Sequence, residues 1–252
     1  MSRPVTLITG ASAGLGAEFA RQCAKRGEAL ALAARRRDRM QALANELGGD
    51  VHIFEADLSK TGSAASLIAA VEAQGLSVGT LINNAGFGLA GKFADRPLAT
   101  FSEMIDLNVR TLTELCHLVL PAMRGRGQGA ILNIASTAAF QPGPNMAVYY
   151  ASKAYVLSFT EALHHELKGT GIRVSALCPG PTHSEFSDVA DSHSPTLERM
   201  KMPAGPVVAL GLAGLDRNKA VVIPGFTNKL GAQASRFLPR AAMRRIIGRI
   251  KV

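Results

Sequence analysis

Cysteine is scarce in this 252-residue sequence: Cys23, Cys116 and Cys178 stand far apart. An odd, sparse set supplies neither a disulfide framework nor the close spacing of a zinc site, so no metal and a reduced, cytoplasmic setting are expected. Long apolar runs are missing too, and none reaches the length of a membrane span. The N-terminus enters an apolar segment at once (Val5, Leu7, Ile8) and carries no secretory pattern. Charged residues are few, 19% against 47% hydrophobic, which excludes a disordered chain. Acidic residues vanish from 225–252, where Lys229, Arg236, Arg240, Arg244, Arg245, Arg249 and Lys251 supply seven of the net +9. Basicity confined to one segment is a poor signature of nucleic-acid binding, and no nucleic-acid partner is expected.

What the chain does contain is a regular alternation. Short apolar runs at Val5–Thr9, Ala29–Ala33, Val51–Phe54, Thr80–Asn83, Ala130–Ala135, Ile172–Leu177 and Ala220–Ile223 read as about seven strands. Helices are expected at Ala17–Arg26 and about Asp38–Leu47, and the other gaps are long enough for crossover helices. Near-continuous apolar strands alternating with helices imply an α/β fold with a parallel sheet covered on both faces. Right-handed crossovers make it a doubly wound, Rossmann-type sheet. No linker, repeat or low-complexity tract divides 1–252, so a single domain is expected. Residues 181–207, with four prolines, read as a long loop or lid.

The first strand ends in Gly10-Ala11-Ser12-Ala13-Gly14-Leu15-Gly16. Glycines let the backbone approach a bound group, and the following helix offers free N–H donors and a dipole that favour phosphate. The same residues fit the G-x-S-x-G elbow of a serine hydrolase with Ser12 as nucleophile. That elbow needs an earlier strand-loop for its oxyanion hole, and only nine residues precede Gly10. Ser12 is therefore expected to help hold a cofactor phosphate.

Tyr149 and Lys153 are spaced i, i+4 at the start of a helical stretch and share one face. An ammonium beside a phenol favours the phenolate and tunes it as a general acid and base. Ser136 ends the fifth strand, 13 residues before Tyr149, at the edge where ligands bind in such folds. These features, with Asp57-Leu58, Asn83-Asn84-Ala85-Gly86, Asn108-Val109 and Pro179-Gly180-Pro181-Thr182, resemble the short-chain dehydrogenase/reductase family over nearly all of the chain. The resemblance implies an NAD(P)-dependent oxidoreductase with an Asn108-Ser136-Tyr149-Lys153 tetrad. By it, Tyr149 protonates a carbonyl oxygen and Ser136 orients that oxygen. Lys153 acidifies Tyr149 and binds the nicotinamide ribose, while Asn108 helps hold a relay water. Asn84, Ala85 and Gly86 line the adenosine side. Asp57 and the Leu58 backbone meet the adenine, and Pro179, Gly180 and Thr182 cover the nicotinamide and phosphates. The family's hydroxyl after Pro-Gly is here Ser184. A second reading of Asn84 and Gly86 is a tight turn, and of Asn108 a helix kink that repairs backbone hydrogen bonds. Ser152 and Tyr150 read as packing residues, and His164 and His165 as ordinary helix-face residues. His183 and His193 fall in the lid region.

Cofactor choice rests on the end of the second strand. Ala34 stands where an NAD-selective enzyme would carry an acid, and Arg35 follows it. NADP(H) is expected, with Arg35 as main contact to the 2′-phosphate and Arg36 in support. The substrate is expected to be an apolar small-molecule ketone, aldehyde or alcohol near Phe87, Phe140, Met146 and Phe186, handled by a homo-oligomer. The alternative from another class is a catalytically silent NADP-binding regulator, against which an intact tetrad speaks. Finally, Pro239 can open a helix with Ala242, Met243, Ile246, Ile247 and Ile250 on one side and Arg240, Arg244, Arg245, Arg249 and Lys251 on the other. Such a helix can pack on the protein, on a partner subunit, or flat on an anionic membrane.

Overall fold

The computed structural model describes residues 2–192 and 194–249, so His193, Ile250 and Lys251 lie outside the described residues. The first half runs β1 (Arg3–Thr9), α1 (Gly14–Lys25), β2 (Leu30–Ala34), α2 (Arg37–Leu47), β3 (Val51–Glu55), α3 (Ser63–Ala73) and β4 (Leu76–Asn83). Next come α4 (Leu98–Ile105), a π-helical segment (Asp106–Thr111), α5 (Leu112–Arg126), β5 (Gly129–Ile134), α6 (Ala147–Glu166) and β6 (Ile172–Leu177). The chain closes with α7 (Phe186–Val189), α8 (Pro195–Arg199), α9 (Ala204–Asp216), β7 (Val221–Val222), α10 (Phe226–Phe237) and α11 (Arg240–Arg249).

The strands form one parallel sheet in the order β3-β2-β1-β4-β5-β6-β7. Both faces are covered. On one, Leu7, Ala31 and Ile131 pack under α3, α5 and α6; on the other, Ile8, Leu32 and Leu132 pack under α1, α2 and α9. Successive side chains of a strand point to opposite faces, so two buried faces require unbroken apolar runs such as Leu30–Ala34. Each fully buried Leu or Ile contributes about 1.5–3 kcal/mol. Winding reverses between β1 and β4, so the C-terminal ends of those strands frame the crevice.

One polar feature crosses this apolar interior. Asn83 of β4 donates to the amide oxygen of Asn133 on β5 (2.9 Å), and Asn133 donates to Thr160 of α6 (3.0 Å). All three residues are buried.

Several boundaries differ from the sequence expectation. β4 starts at Leu76 rather than Thr80 because Leu76, Ser77 and Val78 already pair with Arg3, Pro4 and Val5; Gly79 is then skipped, and Thr6 faces Thr80. α1 starts at Gly14, inside the Gly-rich turn, rather than at Ala17. Residues 181–207 are not one loop. They hold α7, α8 and the first turn of α9, tied back by a bridge between Thr182 and Met202.

Candidate active site

The first turn folds tightly because it has glycine where space runs out. A Cβ on Gly16 would lie 2.1 Å from the Gly10 carbonyl oxygen, and one on Gly10 (φ +66°) would lie 2.9 Å from the Ala85 Cα. Ala13 is the N-cap residue of α1, and no side chain among the described residues caps that end. The N–H groups at Gly14, Leu15 and Gly16 are thus left for an anion, as a dinucleotide phosphate requires. The turn is pinned from β4: Asn84 Nδ2 donates to the Thr9 carbonyl (2.9 Å), and the N–H groups of Asn84 and Ala85 donate to Thr9 Oγ1. The Asn84 side chain therefore holds the turn together.

At the end of β2 the two arginines separate. Arg35 is exposed and its charge acts on Asp57. Burial of the Asp57 carboxyl opposes its ionisation, yet hydrogen bonds from Ser59 and the nearby Arg35 and Lys60 keep it below its ordinary range. Arg36 is half-buried, and its Nε and Nη2 both donate to Ser12 Oγ at 3.2 Å. No histidine among the described residues hydrogen-bonds Ser12, so the elbow has no base and the hydrolase reading falls. Of the two arginines, Arg36 is the one seated on the turn itself. It also pairs with Glu185 (2.9 Å), which reaches Arg39 as well. Arg39 first and then Arg36 hold the Glu185 carboxyl below its ordinary range. Neither Arg39 nor Glu185 belongs to a motif that sequence reasoning uses. Leu58 is buried, and its carbonyl accepts from Thr111 Oγ1 at 2.7 Å.

At the C-terminal edge of β5, Ser136 caps a turn of 3-10 helix by accepting from Ala138 N–H (3.1 Å) and donates to the Pro179 carbonyl (3.4 Å). Its hydroxyl acts on the phenol of Tyr149, in the first turn of α6. Burial pushes the Tyr149 phenol well above its ordinary range, and the Ser136 hydroxyl pulls the other way. The expected lysine-driven acidification does not set this shift: burial and, against it, the Ser136 hydroxyl do. Lys153 Nζ donates to the Ile134 carbonyl (2.8 Å) and stands 5.8 Å from the centre of the Tyr149 ring, not on its oxygen. Burial lowers the Lys153 ammonium from 10.5 to about 8.

Asn108 lies on the π-helical segment and is buried. Its Oδ1 accepts from Phe87 N–H (3.1 Å), and its Nδ2 donates to the Phe87 carbonyl (2.9 Å) and to Ser152 Oγ (3.0 Å). Ser152 Oγ in turn donates to the Tyr149 carbonyl (2.7 Å). Ser152 links Asn108 to the helix turn that carries the phenol. Gly86 lies between Asn108 and Lys153: a Cβ there would be 2.9 Å from Asn108 Oδ1 and 3.5 Å from Lys153 Nζ.

Pro179, Gly180 and Thr182 follow β6 on the far side. The Pro179 carbonyl accepts from Thr137 N–H (2.8 Å), and Thr182 Oγ1 donates to the Gly180 carbonyl (3.0 Å). Ser184 closes on the first turn, 3.0 Å from a Cβ built on Gly14. Phe186 lies against the Tyr149 ring, centre to centre 5.2 Å. Met146, Ala138, Ala90, Phe87 and Tyr150 complete an apolar cluster around Tyr149, whereas Phe140 packs into the main core instead. His164 bonds the Val174 carbonyl, and His165 and His183 are exposed, so none joins this cluster.

The comparisons with known proteins agree with this geometry. The family model for short chain dehydrogenase matches residues 4–194. Sulfoacetaldehyde reductase 2 of Chromohalobacter salexigens is 41% identical over 187 residues, 73% of this chain and 74% of that one. The NADP-dependent 3-hydroxy acid dehydrogenase YdfG of Escherichia coli is 35% identical over 187 residues, 73% of this chain and 75% of that one. A short-chain dehydrogenase from Sphingobium yanoikuyae, solved in complex with NADPH, superposes with a TM-score of 0.83 at 34% identity over 93% of both chains. The chain belongs to the short-chain dehydrogenase family and is an oxidoreductase acting on a CH–OH group.

Proposed function

We propose that this chain is an NADP(H)-dependent oxidoreductase that reduces an apolar ketone or aldehyde, or oxidises the matching alcohol. The observation that carries the reading is the meeting of Ser136, Tyr149 and Lys153 at one strand edge, beside a glycine turn braced by Arg36. The dinucleotide, when bound, supplies or accepts the hydride. The free N–H groups of Gly14, Leu15 and Gly16 receive its phosphates, and Arg36 with Arg35 neutralises the 2′-phosphate. Tyr149 enters reduction as a protonated phenol, consistent with its raised pKa, and gives that proton to the carbonyl oxygen. Ser136 donates a hydrogen bond to the same oxygen. The Lys153 ammonium beside the ring then stabilises the phenolate left behind.

The apolar cluster of Phe87, Met146 and Phe186 around the phenol supports an uncharged substrate portion, even though the relatives' names denote small anionic ones. Leu98, Ile105 and Tyr155, left exposed on α4 and α6, support a homo-oligomer. Three free, buried cysteines support a reducing, cytoplasmic setting. The test is oxidation of NADPH and of NADH with a panel of ketones and aldehydes. Turnover with NADPH that Tyr149→Phe abolishes is expected. Equal or better use of NADH would remove the cofactor assignment, and unchanged turnover in the variant would remove the mechanism.

A further inference from the structure

The last two helices carry an apolar face with no cover. Phe226, Leu230 and Phe237 of α10 are 80%, 62% and 84% exposed. Their spacings of four and seven put them on one side of the helix, while Asn228, Ala232 and Ser235 face the protein. Leu238, between the two helices, and Ile246 of α11 are exposed as well. Single exposed apolar residues are ordinary, but an aligned set of large ones marks a contact site. On the apolar side of α11, Met243 is buried, Ala242 and Ile247 are half-buried, and Ile246 is exposed.

Cations accompany that face. Lys229, Arg240, Arg244, Arg245 and Arg249 are all exposed, and among the described residues none is paired with a carboxylate. Elsewhere the surface arginines find acids, as in Arg3–Asp50, Arg21–Glu46, Arg26–Asp216 and Arg96–Asp191. No Asp or Glu follows residue 216 to offer a partner within the segment.

Both helices also rim the substrate side of the crevice. Asn228 packs on Gly180, where a Cβ would lie 2.4 Å from its Oδ1, and Gly248 of α11 sits against Pro144, just before Tyr149.

We propose that α10 and α11 dock the enzyme on an anionic lipid surface. Phe226, Leu230 and Phe237 enter the boundary between headgroups and acyl chains, and Lys229 with the α11 arginines meets the lipid phosphates. Charge complementarity selects this occupant: five exposed cations, without carboxylate partners among the described residues and on the same two consecutive helices as the apolar stripe, would repel one another in a contact between identical copies, whereas an anionic bilayer neutralises them. The contact brings the crevice mouth to the lipid boundary, so an apolar carbonyl compound can enter from the membrane. That last consequence rests on the reductase reading; the docking itself does not.

The experiment is co-sedimentation of the full chain, without cofactor or substrate, with vesicles of phosphatidylcholine alone and of phosphatidylcholine mixed with phosphatidylglycerol. Binding to the anionic vesicles at least tenfold tighter than to the neutral ones is expected, weakening as salt is raised. Phe226→Ser with Phe237→Ser, and separately Arg244→Glu with Arg245→Glu, should each lower it at least tenfold, while Arg244→Lys with Arg245→Lys keeps it. Thermal melts of all variants should match the parent. Absence of binding to anionic vesicles, or equal binding by the variants, overturns the proposal. So does light scattering in which the Phe226→Ser, Phe237→Ser pair dissociates an oligomer, since the face would then be a subunit interface. None of these readouts uses turnover, so a failed reductase assignment leaves them unchanged.

Discussion

Replacing Lys153 by Met should make the protein more stable while removing its chemistry. The ammonium is buried, with the Ile134 carbonyl as its hydrogen-bond acceptor at 2.8 Å. Burial lowers its pKa from 10.5 to about 8, which corresponds to about 3 kcal/mol of disfavoured charge in the folded state. Below about pH 8 the folded and unfolded chains both carry the proton, and the penalty is present in full. Between about pH 8 and 10.5 the unfolded chain binds more protons than the folded one, so the stability of the parent rises with pH. Lys153→Met removes the penalty but leaves the Ile134 carbonyl unpaired, which costs about 1–2 kcal/mol. A net gain of about 1–2 kcal/mol at pH 7 follows. Relative to the variant, the parent should recover about 2 kcal/mol by pH 9.5. Equilibrium urea unfolding at both pH values reads this difference directly. A difference that does not change with pH, or a variant less stable at both values, would refute the argument that burial of this charge dominates.

Tyr149→Phe removes the phenol proton beside Ser136, and kcat should fall at least about a hundredfold, with the dissociation constant of NADPH nearly unchanged in a fluorescence titration. Glu185→Gln frees Arg36 and Arg39 from their carboxylate partner, which would compete with a 2′-phosphate seated there. The pairs are exposed and each contributes at most about 1 kcal/mol, so NADPH should bind a few-fold tighter while NADH is unaffected. An equal gain for both dinucleotides would show that the carboxylate does not compete for the phosphate. Gly16→Ala puts a methyl 2.1 Å from the Gly10 carbonyl oxygen, so the turn must open. A stability loss of about 1–3 kcal/mol and weakened dinucleotide binding are expected in calorimetry, and retention of both would mean the turn adapts at no penalty.

The sheet was legible because its strands are buried on both faces, which forces runs such as Leu30–Ala34 to be apolar throughout. The start of β4 was hidden by Ser77 and Gly79, which break the run, although backbone pairing with β1 resumes on both sides of the skipped Gly79. Helix α10 was missed because its large apolar residues point outward, so no inward stripe announces it. At the site, the i, i+4 pair Tyr149 and Lys153 and the glycine turn were visible as spacing, whereas the full tetrad came only with the family resemblance. The pKa order was not: spacing puts an ammonium four residues from a phenol but does not reveal that Nζ is engaged by Ile134 and that burial dominates. Glu185 was invisible for another reason. Its partner Arg36 lies 149 residues away, and an acid in a loop carries no motif.

The amide relay through Asn83, Asn133 and Thr160 bears on how reliably the catalytic groups are aligned. A strand greasy on both sides has little to tell it which neighbouring residue to face, and a slip by one position exchanges its two faces. Two carboxamides meeting in the dark interior can satisfy each other in one alignment only, so they act as a key for β5 against β4 and for α6 against β5. Ser136 stands three positions beyond that key on the strand, and Lys153 seven positions before it on the helix. Swapping the relay for well-packed leucines would leave the protein as hard to melt, or harder. The hydroxyl and the phenol would then lose the fixed spacing between them, and the fold would survive with its catalyst detuned.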